Sequence, residues 1–308
     1  MAIGIDFDGN SAAWVRLRRG NDKPVLEAKS TFALVPSREI ATMTGVFSRN
    51  NQGVPCVLVL EREDYNLIQT PAPEVDEADL RDAVLWKIKD ELGFSVQDVV
   101  LDVFDFPLGK NQQGRRLYVA AASANKVQRK VEWLLGGDAA LCAIDIPEQV
   151  IRNVVSLLPE NETGVALLFL MEQESVILLC RQGMLHLSRS IPIGYERLRR
   201  GFAGIDPDAP LDSLPHDAQA LLDRVTLEVQ RTLDFYDSNY SYDGHITLFT
   251  TTALAALPGA IEYFGLSLGL TPKIMDLNEL FYCEEALSVE EQITYLRALG
   301  AALRQFLV

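Results

Sequence analysis

Two carboxylates stand two residues apart at the end of an apolar run, in Ile3-Gly4-Ile5-Asp6-Phe7-Asp8-Gly9-Asn10-Ser11. Three kinds of chemistry suit that spacing. An aspartate at a buried strand end attacks phosphorus when a second carboxylate, two residues on, serves as general acid. The same strand end can instead hold hydrated magnesium while backbone N–H groups of a Gly/Ser turn wrap a phosphate. The third reading is a plain acidic hairpin turn, for which Asp-Gly-Asn-Ser is ordinary turn chemistry. The downstream residues weigh against the first. Ala13, Val15 and Leu17 alternate with Trp14, Arg16 and Arg18, the period of a second strand rather than of a loop and helix. A nucleophilic aspartate also needs a later Ser/Thr, a lysine and an acid pair for magnesium, and the nearest acids, Asp138 and Asp145, have the wrong spacing.

The other reactive side chains are scattered. Glu228 and Arg231 stand three apart on a predicted helix, where they either line a pocket or pair with each other. Cys56, Cys142, Cys180 and Cys283 form no C-x-x-C and sit in apolar or aromatic surroundings, so buried, reduced thiols are expected. His186, His216 and His245 have no metal-ligand spacing, and no metal site is expected. The run Tyr236-Asp-Ser-Asn-Tyr240-Ser-Tyr242 is either a loop whose rings pack on the fold or a polar-aromatic contact surface.

The elements that must position these groups are those of a globular chain. Its 308 residues are 48% hydrophobic and 23% charged, enough for two ordinary lobes. A net charge of −15 repels phosphate backbones and anionic lipid, so neither nucleic acid nor a membrane surface is an expected partner. Arg16, Arg18 and Arg19, and Arg197, Arg199 and Arg200, are the two local basic clusters. The longest apolar run, Val165 to Met171, is far below the roughly 20 residues of a membrane span. With no leader pattern at the N-terminus, a cytoplasmic protein without membrane insertion is expected.

Strand–turn–strand–turn–strand opens the chain through Leu34. Pro55 to Leu60 and Tyr65 to Gln69 read as strands and Asp76 to Leu92 as a helix, with Leu80, Val84, Ile88 and Leu92 on one face. Strands at 99–106 and 117–123, a helix at 125–135, a strand at 141–146 and a Pro147-started helix to Leu158 come next. Pro159-Glu-Asn-Glu162 reads as a linker. The opening pattern then recurs roughly 160 residues on, as strands at 165–171, 175–181 and 184–191. Helices at 215–236, 257–264 and 289–303 and strands at 246–250 and 272–275 complete the chain. The spacing predicts a mixed α/β protein of two lobes facing a cleft. Lobe 1 spans 1–160, with a meander over 1–35, an inserted subdomain over about 36–123 and closing elements to 160. Lobe 2 spans 161–308, with a meander over 164–192, a helical insertion over about 195–243 and an α/β remainder over 244–308.

The chain resembles the PilM family of type IV pilus assembly proteins almost end to end, and within it the MshI proteins of mannose-sensitive haemagglutinin (MSHA) pili. Gly4-Ile-Asp6 with Ser11-Ala-Ala-Trp-Val15-Arg-Leu17 is similar to that family's G-I-D-I-G-S-S-S-x-K-x-V-x-L. Asp82 to Leu92 with Val100-Leu-Asp102 resembles its inserted subdomain. Leu117 to Ala121, Ala143-Ile-Asp145-Ile-Pro147-Glu148 and Arg152 resemble its central stretch. Glu228-Val-Gln-Arg231-Thr-Leu-Asp-Phe-Tyr236 resembles its E-I-x-R-S-L-x-F-Y helix. Leu257-Pro258-Gly259 and Leu296 to Arg304 resemble its last elements. The string Asp6-Phe-Asp8-Gly9 also resembles the nucleophile loop of haloacid-dehalogenase-type phosphatases, without the rest of that machinery.

The PilM resemblance implies an actin-like ATPase (ribonuclease-H-like) fold and a scaffold of the inner-membrane assembly platform. Such a scaffold binds the N-terminal cytoplasmic peptide of a PilN-like membrane protein in a groove between subdomains, contacts the platform and its motor ATPase, and lies peripheral to the inner membrane. An acidic groove would suit a peptide with Lys or Arg next to the membrane. The departures concern the nucleotide. Asp8 replaces a glycine in the first phosphate turn, repelling a phosphate by about 1–4 kcal/mol at ~4 Å. Ala13 replaces the lysine of the next strand. Phe169, Leu170 and Met171 fall on the second loop's D-I-G, and Thr252-Ala253-Leu254-Ala255 on G-G-x-A. The expectation is a degenerate nucleotide site and no enzyme activity. Asp6, Asn10, Ser11, Glu228 and Arg231 would line a residual pocket with at most weak ATP and magnesium binding. A working ATP switch of the same fold, and the cytoplasmic domain of a GspL-like type II secretion protein, are the alternatives.

Overall fold

The computed structural model describes residues 1–9, 11–33, 51–110, 113–135, 140–206, 214–240 and 246–307. They form two compact units, one of Met1–Asn153 with Arg297–Val308, the other of Val154–Leu296.

In the first unit β1 (Ala2–Asp8) and β2 (Ser11–Arg18) form an antiparallel hairpin that ends at the pair Asp8–Ser11. β3 (Val25–Ala33) adds antiparallel to β2. On the other side β4 (Pro55–Val59) pairs parallel with β1, and β8 (Ala140–Asp145) parallel with β4. β1 is central, and every residue but Asp8 is buried, as a strand covered on both faces requires. One face packs Ile3, Ile5, Phe7 and Leu58 with Val131 of α2 (Ala124–Leu135). The other face packs Val57 and Val59 with Val150 of α3 (Pro147–Val155) and Ala301 of α9 (Val289–Leu307). Two glycines permit that layer. A Cβ on Gly4 would lie 1.8 Å from the Ala298 carbonyl oxygen, and one on Gly300 2.0 Å from that of Val150.

Between β4 and α2 sits a three-stranded antiparallel sheet in the order β5 (Tyr65–Pro71), β7 (Arg116–Ser123), β6 (Val99–Phe106). Across it lies α1 (Leu80–Ile88), whose Leu80, Val84 and Ile88 pack on Ile68, Leu117, Val119 and Ala121. The helix begins four residues later than the pattern suggests, because residues 76–79 turn on an Asp79 N–H to Asp76 carbonyl bond. Three expected boundaries shift, the first being where the long segment of the first unit ends, at Asn153 rather than at 160. The insertion begins after β4, since β4 is hydrogen-bonded into the main sheet. The last stretch of α9, expected in the second lobe, belongs to the first unit, where Gly4 and Val150 admit it closely.

The second unit repeats the strand order. β9 (Val165–Leu170), β10 (Ser175–Arg181) and β11 (Met184–Ile191) form the antiparallel meander, and β12 (Thr247–Thr251) and β13 (Lys273–Met275) extend it in parallel. α4 (Tyr195–Gly201), α5 (His216–Asn239), α6 (Thr252–Ala255), α7 (Ala260–Leu268) and α8 (Leu277–Leu280) complete it. Leu168, Leu170 and Ile177 pack with Leu222, Val225 and Val229 of α5 and Phe264 of α7. Pro159–Glu162 is not a free linker. It is a 3₁₀ turn in which Asn161, buried, accepts from Gln182 N at 2.7 Å and Gly183 N at 3.3 Å. The rings of Tyr236 and Tyr240 pack on His186 of β11, with centroids 5.6 and 5.0 Å away. Ser241 and Tyr242 lie outside the described residues.

Candidate functional site

The β1–β2 hairpin is held by ions of the protein's own. Asp6 is 2% exposed. Its Oδ2 accepts from Arg297 Nε at 2.8 Å, and Arg297 Nη2 reaches Asp8 Oδ2 at 3.2 Å. One guanidinium thus bridges the two carboxylates. The other Asp6 oxygen, Oδ1, is buried with no hydrogen-bond partner among the described residues. Gly9 turns at φ +59°, a conformation that favours glycine, and its N–H donates to Glu61 Oε1 at 2.6 Å. Glu61 is neutralised by Lys130, which also reaches Asp64 Oδ2 at 2.9 Å and lies over the Phe7 ring. The Ser11 hydroxyl donates to the Asp8 carbonyl at 3.1 Å. Asn10 lies outside the described residues. Burial pushes the Asp6 carboxyl up to about 7 against the opposing pull of Arg297. Burial also works against the charge on Arg297, but Asp6 and Asp8 outweigh it and raise its pKa.

These residues do not fit a magnesium-bound phosphate. One Asp6 oxygen is already bonded to a cation, and the Gly9 amide is already bonded to an anion. A metal on the remaining Asp6 oxygen would meet the Arg297 charge at close range. Among the described residues of the turn, a phosphate would meet the carboxylates of Asp8 and Glu61 and a Gly9 amide that is already bonded.

The turns of the second unit are closed in their own ways. Met171 N–H bonds the Glu174 carbonyl at 2.9 Å, while the Met171 and Glu172 carbonyls accept from Tyr195 N and Glu196 N at 2.7 and 3.1 Å. Gly194 permits this contact, since a Cβ there would lie 2.4 Å from the Glu172 carbonyl oxygen. Phe169 and Leu170 are fully buried. Residues 252–255 form α6, with Ala253 and Leu254 in the core and the Thr252 hydroxyl on Gln292 Oε1 at 3.1 Å. Glu228 accepts from Arg231 at 2.6 Å and from Arg189 at 3.4 Å. Of the five predicted pocket residues, Asp6 and Ser11 thus belong to the first unit, and Glu228 and Arg231 are joined in the second.

The first unit also carries a groove of about 370 Å³. One wall is β6, through Asp102, Val103 and Phe104; the other is β8 and α3, through Ile144, Asp145, Gln149 and Arg152; Arg304 and Leu307 of α9 line it too. Among the described residues, β6 and β8 are each the last strand of their sheet on that side. An edge strand carries backbone N–H and C=O groups that no neighbouring strand pairs, the kind of edge to which an extended chain can add. Asp145 accepts from Arg304 Nη1 at 2.6 Å and from Ile146 N at 2.9 Å. Arg152 donates to Asn153 Oδ1 at 2.6 Å, and Asn153 donates to the Gly300 carbonyl at 3.0 Å. The lining is mixed in charge, Asp102 and Asp145 against Arg152 and Arg304, and not the acidic groove that net charge suggests.

Arg297, Glu61 and Arg304 are not singled out by local sequence because their partners lie 291, 52 and 159 residues away. One signal is legible in part: Arg297 lies on the helix predicted over 289–303 and Arg304 one residue past its end, seven apart, a spacing that puts both on one face once the helix continues to Leu307. Three expectations need correction or detail. Cys142 is exposed, with its Sγ on the Cys56 carbonyl at 3.0 Å. The first basic cluster is answered locally, Arg16 and Arg18 by Glu27. In the second, Arg199 and Arg200 pair with Glu196. Among the described residues there is no group of metal-ligating side chains, and no helix is long and apolar enough to cross a membrane.

No protein-family profile matches the chain, and no curated protein matches it in sequence. Solved structures do match. A chain of a PilM–PilN type IV pilus biogenesis complex is similar at a TM-score of 0.71 and 19% identity, covering 98% of both chains. The cytoplasmic domain of EpsL, an inner-membrane component of the type II secretion system of Vibrio cholerae, is more distant, at 0.47 and 10% identity over 96% of this chain and 93% of that one. A Bacteroides thetaiotaomicron protein of actin-like ATPase fold and unknown function scores 0.47 at 10% identity, over 95% and 94%. The chain has the actin-like fold, with mixed sheets, and is similar in structure over nearly its whole length to a solved component of the PilM–PilN complex.

Proposed function

We propose that the chain is a scaffold of the inner-membrane assembly platform of a type IV, MSHA-like pilus, and that it works without turning over a nucleotide. It takes the N-terminal cytoplasmic peptide of a PilN-like membrane protein into the groove between β6 and β8, and through that peptide it sits beside the inner membrane. From there it contacts the rest of the platform and its motor ATPase. The observation that carries this reading is the groove itself: two outward strand edges with an apolar lining of Phe104, Ile144 and Leu307. Such a site recognises an extended peptide by main-chain bonds and alternate side-chain pockets. The likeness to the PilM–PilN complex supports the partner, and the sequence resemblance supports the MSHA-like assignment. The ions that close the hairpin support a degenerate nucleotide site.

Calorimetric titration of the PilN-like N-terminal peptide, and separately of ATP with magnesium, tests the proposal. The peptide binds the wild-type chain and not Phe104→Arg, while ATP gives no saturable heat. Micromolar ATP binding together with no peptide binding would transfer the assignment to a nucleotide switch of the same fold.

A further inference from the structure

We infer that Arg297 is a built-in counter-ion that takes the place of a divalent metal between Asp6 and Asp8. This deepens the reading of the hairpin as a degenerate nucleotide site and is independent of the peptide groove.

Two carboxylates at one strand end repel each other, and a shared cation relieves that repulsion. A hydrated metal ion would do so through oxygen ligands. Here it is relieved by a guanidinium whose Nε and Nη2 reach one oxygen of each acid, at 2.8 and 3.2 Å. The planar fork suits two acceptors, and arginine keeps its charge in a buried place where lysine gives it up more readily. Arg297 is well anchored for the task. Its side chain is 12% exposed, and its helix is held against β1 at Gly4 and against α3 at Gly300. The rest of the hairpin is balanced in the same way, with Glu61 on the Gly9 amide and Lys130 on Glu61 and Asp64. The charges of this corner are paired internally, so a metal reaching the remaining Asp6 oxygen, Oδ1, would have to displace a fixed ion or sit against its charge. Loss of the guanidinium should therefore create a metal site where none operates now.

The test is a manganese titration followed by electron paramagnetic resonance. The wild-type chain is expected to show no saturable site at the hairpin, and its unfolding midpoint to be the same in EDTA and in millimolar magnesium. Arg297→Met, which keeps the apolar stem and removes the charge, is expected to gain one manganese site, lost again when Asp6→Asn is added. A folded Arg297→Met that gains no site overturns the inference. So does a wild-type chain that binds manganese at Asp6 and Asp8, a readout that holds even where Arg297→Met fails to fold. Manganese on the wild-type hairpin without ATP binding would remove this inference and leave the proposed function standing. Binding of both, together with no binding of the PilN-like peptide, would remove both.

Discussion

Arg304 donates from Nη1 to Oδ2 of Asp145 at 2.6 Å, and so ties the last turn of α9 to the edge strand that lines the groove. Asp145 is buried and Arg304 is 43% exposed. Solvent screens the arginine, so the pair stabilises the fold modestly. Arg304→Ala should lower the unfolding free energy by about 1–2 kcal/mol, largely because a buried carboxylate loses its counter-ion. Urea denaturation measures this. A larger loss, or none, would mean that Asp145 is held by its neighbours in another way.

Gly300 reverses an ordinary rule. Alanine in a helix interior is normally favoured over glycine by about 1 kcal/mol. A Cβ at 300 would instead lie 2.0 Å from the Val150 carbonyl oxygen and 2.6 Å from its carbon. The neighbour is backbone and has no rotamer to yield. Gly300→Ala should therefore destabilise by more than about 2 kcal/mol or prevent folding, read as soluble yield and thermal midpoint.

His186 sets an acid limit on the second unit. Burial beside Tyr236 and Tyr240 lowers its pKa to about 4, against an ordinary value of 6.5. The unfolded chain therefore binds a proton that the folded chain refuses between those values, and stability falls as pH falls from 6.5 towards 4. The loss from this group approaches about 3 kcal/mol at the lower end. His186→Phe should flatten that part of the stability–pH curve. An unchanged curve would contradict the buried neutral ring.

Two residues two positions apart on α1 should behave in opposite ways. Ile88 is fully buried on the insertion's sheet, and Ile88→Ala should cost about 2–5 kcal/mol. Trp86 is 68% exposed, with Lys89 over its ring, and Trp86→Ala should change stability by less than about 0.5 kcal/mol. Chemical denaturation of the two variants checks the face assignment directly.

Local patterning makes much of the fold legible. The strands at Val99–Phe106, Ser175–Arg181 and Met184–Ile191 fall where alternation puts them, because each is flanked by its own turn residues. The meander repeat is visible for the same reason. The short helix Tyr195–Gly201 is legible only as the start of a helical stretch over about 195–243: seven residues with three arginines have too little apolar period to fix its bounds. The candidate sites are hardly legible. Asp6 stands out by its strand-end position, but the cation bonded to it lies 291 residues on. The groove is made by two strand edges and one helix end, and no local string records that β6 and β8 finish their sheets.

Hydrogen–deuterium exchange on the chain with and without the PilN-like peptide shows where the peptide sits. Added protection should fall on the edge strands Val99–Phe106 and Ala140–Asp145 and leave the Asp6–Gly9 hairpin unchanged. Saturating peptide that protects neither edge, or that protects the hairpin instead, would contradict that placement.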